Sequence, residues 1–106
     1  MKRADHQILL HDLRESLDRI RALAAWHDLK KSEQQGVPPA FLMHDPTPAD
    51  ISNEYSRMVG LGFQMHSALA VKKIRTIFVT RTRHEYLTIM KELNSLNIAA
   101  RISRLS

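Results

Sequence analysis

Cysteine is absent from this chain of 106 residues, so neither a disulfide framework nor a thiolate zinc site can organise it, and its core has to hold by packing alone. Glycine is almost as scarce, three residues beside four prolines, which excludes collagen-like and low-complexity classes. No apolar run approaches the length of about 18 residues that a spanning helix needs, so no membrane association is expected. The N-terminus, Met1-Lys2-Arg3 with Asp5, His6 and Asp12 among its apolar residues, lacks the unbroken apolar core and cleavage site of a secretion signal. A cytoplasmic location is therefore the expectation. No internal repeat and no phosphate-cradling G-x-x-x-x-G-K loop occurs.

What remains is an ordinary globular balance, 43% hydrophobic and 25% charged, sufficient for a single domain over residues 1–106 that buries roughly 65% of its unfolded surface. The charge is lopsided: 16 Lys and Arg against 11 Asp and Glu give +5 and a pI near 10.0, a surplus that favours acidic partners. It is also uneven along the chain. Residues 72–106 hold eight bases, Lys72, Lys73, Arg75, Arg81, Arg83, Lys91, Arg101 and Arg104, against Glu85 and Glu92, or +6, while the first 71 residues hold eight bases and nine acids.

From about Ala4 to Gln35 neither Gly nor Pro intervenes, and Leu10, Leu13, Leu17, Ile20, Ala24 and His27 recur at alternating three- and four-residue steps. This predicts one long helix that Gly36, Pro38 and Pro39 bring to an end. About 30 residues of helix would span about 45 Å, beyond the roughly 30 Å of a domain this small, so either the helix breaks near its start or part of its stripe packs on a second copy. The following loop is unusually apolar. With Trp26 on the first helix, its Phe41, Leu42 and Met43 are candidate partner-binding residues, the plainer reading being a lid over one end of the core.

Thr47-Pro48-Ala49-Asp50 is a strong start for a second helix reaching about Ala70, with Thr47 as cap, Pro48 at the first helical position and Asp50 three residues after the cap. Ile51, Tyr55, Met58, Met65 and Leu69 line one side and Val59, Phe63 and His66 another, which predicts a central helix. Gly60 and Gly62 are read as close approach to the first helix or a mild kink.

From Ile74 to Thr80 the chain is dense in β-branched and aromatic residues, which predicts a strand. Thr82-Arg83-His84-Glu85 then resembles a capping box opening a helix over Tyr86, Ile89, Met90, Leu93 and Leu96, with Asn97 tolerating the left-handed backbone that ends it. Alternation of Ile98, Ala100 and Ile102 predicts a second strand. The expected fold is therefore α+β, mostly α, in the order ααβαβ. It has a helical half over about 4–70 and a basic half over about 72–105, a right-handed βαβ unit with a small parallel sheet. Two parallel strands leave open edges, so a homodimer extending the sheet is predicted, the competing explanations being a short strand around Ala40 to Met43 or a strand donated by a different protein.

In such a unit Arg81 and Arg104 would lie at the same strand ends, with Arg83 in the first turn of the helix between them, a natural phosphate site. Arg101, Lys72, Lys73 and Arg75 would extend it. No two histidines sit at metal-binding spacing, so no metal and no cofactor is expected. His27 and His66 read as core or interface residues. His84 with Glu85 and Arg83 is the one polar cluster arguable as an acid–base site, and only Thr80, Thr82 or Ser103 could serve it as a nucleophile, so no enzyme is expected. The sequence thus points to a non-catalytic accessory protein that binds nucleic acid, DNA or RNA, through backbone phosphates. Its alternative is an interaction adaptor or regulator that works through the first helix, the 37–45 loop and an open strand edge, with the basic surface meeting an acidic protein partner.

Overall fold

A computed structural model describes residues 3–30, 32–34, 41–42, 44–70 and 77–105, and these form four helices. Helix α1 runs Arg3–Asp28, α2 Pro48–Leu69, α3 Ile77–Ser95 and α4 Ile98–Leu105. The first three carry the same device. Buried positions fall at Leu10, Leu13, Leu17, Ile20 and Ala24 on α1, and at Ile51, Met58, Met65 and Leu69 with half-buried Tyr55 on α2. On α3 they fall at Val79, Thr82, Ile89 and Leu93 with half-buried Tyr86. Steps of three and four average 3.5 residues, close enough to the helical turn that each apolar stripe stays on one side for the helix's whole length. Elongated helices with such seams pack side by side, as in helical bundles.

The packing order follows from the contacts. α1 and α2 share the largest interface, and α3 lies against both. Arg14 of α1 pairs with Glu85 of α3 at 2.6 Å, and Arg21 pairs with Glu92. Both pairs step forward by seven residues on each helix, so α1 and α3 run parallel. Opposite α3, Val59 meets Met90 in one groove while Ala70 meets Arg83 in the next, so α2 runs antiparallel to α3. The product is long and thin: 53 × 24 × 17 Å, with a radius of gyration of 15.9 Å against about 13 Å for a compact chain of this length.

Helix α2 begins as its sequence predicts. The Thr47 backbone N–H donates to Asp50 Oδ2 at 2.7 Å and the Thr47 hydroxyl to the same oxygen at 3.0 Å, with Pro48 in the first turn. The Thr47 backbone donor holds the Asp50 carboxyl below its ordinary value, the Thr47 hydroxyl and the His44 imidazole acting in the same direction and burial against it. Asn97 has a φ of 51°, the left-handed conformation that an Asn tolerates, and it separates α3 from α4.

The expected βαβ unit is not formed, and no strand or parallel sheet occurs among the described residues. Ile77–Thr80 opens α3 instead, so Thr82 is not a cap but a buried residue inside the helix. Ile74, Arg75 and Thr76 lie outside the described residues. The second predicted strand is α4, in which Ile98 is buried and Ile102 and Leu105 pack on the core. The reason is a matter of scale. β-branched residues lose only about half a kcal/mol each in a helix, whereas each apolar side chain buried along a seam gains about 1.5–3 kcal/mol. Ile98, Ile102 and Leu105 sit at i, i+4 and i+7, so a helix gathers on one side what the alternating pattern had divided between two. The sheet-edge argument for a homodimer goes with the sheet.

Two smaller expectations also shift. α1 ends at Asp28 rather than near Gln35, and a turn follows in which the Glu33 N–H donates to the Lys30 carbonyl at 2.8 Å. Helix α1 has 26 residues, about 39 Å by helical rise, and its apolar seam is buried within this chain from Leu9 to Ala24, so the overhang argument for a second copy falls away. Gly36, Pro38 and Pro39 lie outside the described residues. Gly62 does mark a close approach, but to α3 and not to α1: a Cβ there would stand 3.4 Å from Met90 Cε.

Candidate interaction surface

The second apolar side of α2, which the sequence assigns to a central helix, is not covered. Phe63 is 70% exposed and Leu87 of α3 is 56% exposed, and between them lies an open groove on the outer side of the α2–α3 pair. One part, about 310 Å³, is lined by Val59, Gly62, Phe63, His66, Tyr86 and Met90. A second part, about 200 Å³, continues along His66, Leu69, Ala70, Arg83, Tyr86 and Leu87. The two adjoin at His66 and Tyr86, and together they extend from Val59 to Ala70, about 17 Å along α2 by helical rise.

Local chemistry builds this groove. Gly62 has no side chain to hold α3 away, which lets the Tyr86 hydroxyl donate to the Gly62 carbonyl at 3.2 Å and lays the Tyr86 and Met90 side chains across the floor. At the far end Arg83 Nη2 donates to the Leu69 carbonyl at 3.1 Å, satisfying one of the orphan acceptors at the end of α2. Arg83 keeps its charge at the mouth of the groove while doing so.

Charge around the groove is of one sign. No Asp or Glu occurs between Glu54 and Glu85, and after Glu85 the only acid is Glu92. Both glutamates turn towards α1, where Arg14 and Arg21 take them, and Arg101 pairs with Asp28. The acids of α3 are thus spent on the α1 side. The groove side keeps Arg83 and, one helical turn beyond Leu87, the exposed Lys91, while Lys72, Lys73 and Arg75 follow directly after Ala70 and Val71 in sequence.

Among the described residues, the basic candidates do not gather at one place. Arg81 is exposed in the second turn of α3 and Arg104 in the last turn of α4, some 20 Å apart along α3 alone by helical rise. Arg101 is occupied by Asp28 and by the Leu96 carbonyl, to which its Nε donates at 2.7 Å. Lys72, Lys73 and Arg75 lie outside the described residues. The phosphate site at shared strand ends therefore has no geometric basis, and of the four that are described Arg83 alone lines the groove. His84 and Glu85 fall on the α1 side, in a cleft of about 450 Å³ with Arg14 and Arg21, so they do not form a cluster with Arg83.

The partner-binding candidates occupy a different place. Phe41 is 42% exposed with the Arg19 guanidinium 5.9 Å from its ring centroid. Leu42 packs against the core, and the two residues close a pocket over α1 and α2 with Leu23 and Arg57. Trp26 is half-buried, edge-on to His27 at 5.2 Å. Met43 lies outside the described residues. Phe63, Leu87, Tyr86 and Met90 were not selected as a surface. The signal available for them was the acid-free stretch 55–84 coinciding with apolar residues on two sides of α2, one side more than a single core needs.

Among the described residues no helix is long and apolar enough to cross a membrane. His11, Asp12 and Glu15 bring ligand atoms within 4.8 Å of one another, but Glu15 is already held by His11 and Arg19. No family model, curated protein or solved structure matches the chain.

Proposed function

We propose that this protein is a non-catalytic interaction module of the adaptor or regulator kind, with the α2–α3 groove as its working surface. The observation that carries the reading is the exposure of Phe63 on α2 and Leu87 on α3 beside two adjoining apolar hollows, with Arg83 and no acid among the described residues that line them. Burial of a Phe or Leu side chain gains about 1.5–3 kcal/mol, and a contiguous apolar groove left in water marks a contact surface better than scattered single residues do. Nucleic acid is the weaker reading for this surface, because among the described bases Arg81 and Arg104 are far apart and Arg101 is paired, and because an apolar groove has no use for a phosphate backbone.

The test uses an apolar dye with a sulfonate group, 1-anilinonaphthalene-8-sulfonate, titrated into the folded protein beside mobility shifts with duplex DNA and RNA at two salt concentrations. The module reading expects saturable dye fluorescence that Phe63→Ser and Leu87→Ser abolish, with circular dichroism unchanged, and no nucleic-acid shift at physiological salt. A salt-sensitive shift lost on Arg81→Glu with Arg104→Glu, together with no saturable dye site, would overturn it in favour of the nucleic-acid reading.

A further inference from the structure

We infer that the occupant of the α2–α3 groove is an acidic amphipathic α-helix of about three turns supplied by another protein, which rests on the reading of that groove as the working surface. Length comes first. The groove from Val59 to Ala70 is about 17 Å long, the rise of some eleven helical residues, which is enough for apolar anchors at i, i+3 or i+4 and i+7. Shape is second. α2 and α3 are antiparallel, and the furrow between two such helices receives a third lying along it, as in helical bundles. Tyr86 and Met90 form its floor, and exposed Phe63 and Leu87 stand as its two walls.

Charge then selects among helices. The rim carries Arg83 and Lys91 with His66 in the lining, and the acid-free stretch from Tyr55 to His84 supplies nothing that would attract a basic segment. A helix with Asp or Glu beside its apolar stripe meets those cations, whereas a Lys-rich one meets like charge. The same rule argues against a second copy of this chain groove to groove, since that would set one cationic rim on another. A phosphate backbone would match the charge and leave the apolar floor unfilled. The adaptable thioether of Met90 suits the floor to helices that differ in their anchor residues.

The experiment is selection of displayed random peptides of about 16 residues against the immobilised full chain, followed by fluorescence anisotropy of the enriched peptide. Enrichment of acidic sequences with apolar residues at helical spacing is expected, and the enriched peptide should gain helicity on binding. Phe63→Ser and Leu87→Ser should each weaken it by about tenfold or more, and Lys91→Glu by a few-fold. Arg57→Glu, on the far side of α2, should leave it unchanged.

Enrichment of basic or extended peptides, or of none while the sulfonate dye still titrates Phe63, would overturn the acidic-helix occupant and leave the groove reading standing. Failure of both peptide and dye would remove both. Sedimentation showing a dimer that dissociates on Phe63→Ser would assign the groove to a second copy and overturn the inference, as would duplex DNA or RNA binding that Phe63→Ser abolishes.

Discussion

Gly60→Ala tests whether α2 runs unbroken through the two glycines that the sequence reads as interruptions. In the structure Gly60 is exposed in the middle of a 22-residue helix, and a Cβ built there meets nothing within 4 Å. No steric cost opposes the substitution, so the gain is that of replacing Gly by Ala in a helix interior, about 0.8–1 kcal/mol. For a domain of this length that raises the melting temperature by about 4–6 °C. Gly62→Ala is the internal comparison: it has the same propensity gain, but its Cβ would lie 3.4 Å from Met90 Cε and 3.8 Å from the Tyr86 hydroxyl. Met90 can yield, so a smaller gain or none is expected. Thermal unfolding followed by circular dichroism measures both variants beside the parent. Loss of stability in Gly60→Ala, or an equal gain in both, would refute the reasoning: the first would mean that α2 breaks at this point, the second that α3 does not approach Gly62.

Three further outcomes are expected. At Asn97, with a φ of 51°, Asn97→Ala should cost about 1–2 kcal/mol in urea unfolding whereas Asn97→Gly should be neutral or stabilising, since only the Ala variant meets the left-handed penalty. The Arg21–Glu92 pair joins side chains 45% and 44% exposed, so a double-mutant cycle with alanine should give a coupling below about 1 kcal/mol that shrinks with added salt. Asp50 has its folded pKa lowered from an ordinary 3.8, chiefly by the Thr47 backbone N–H. Its contribution is therefore complete above the unfolded value and disappears as pH falls below about 3.8 through the folded one. Asp50→Asn should lower stability at pH 7 by up to about 1 kcal/mol and flatten the acid limb of the stability profile.

The parts of the fold that were legible are those whose signals are long or whose residue chemistry is local. From Leu10 to His27 α1 repeats the three-and-four pattern, and the Thr47-Pro48-Ala49-Asp50 start involves atoms a few residues apart, so both helices are read as helices. Asn97 belongs with them, because its φ is a local steric matter. α3 was legible only from Arg83 onward. Its first turns carry Ile77, Val79, Thr80 and Thr82, and a β-branched composition over a few residues speaks for a strand as readily as for a buried helical turn. Val79, Thr82, Tyr86, Ile89 and Leu93 do continue the seam at steps of three and four, but a threonine at one of its positions interrupts the apolar signal. α4 is shorter still at eight residues, and within so short a window Ile98, Ala100 and Ile102 satisfy period two while Ile98, Ile102 and Leu105 satisfy the helix.

By itself, then, the sequence determined a cysteine-free chain with two N-terminal helices, their seams, the capped start of α2, the turn at Asn97 and a basic C-terminal third, all of them properties of single residues or of long periodic patterns. Tertiary structure alone decided that Ile77–Thr80 and Ile98–Leu105 are helical, because a few tenths of a kcal/mol of intrinsic preference per residue yield to burial worth kilocalories once α1 and α2 are there to pack against. It also decided which charges are free. Whether Glu85 and Glu92 neutralise the bases near them in sequence or the arginines of α1, 71 residues away, depends on which helix lies alongside. That pairing leaves the groove between Phe63 and Leu87 apolar within and cationic at its rim.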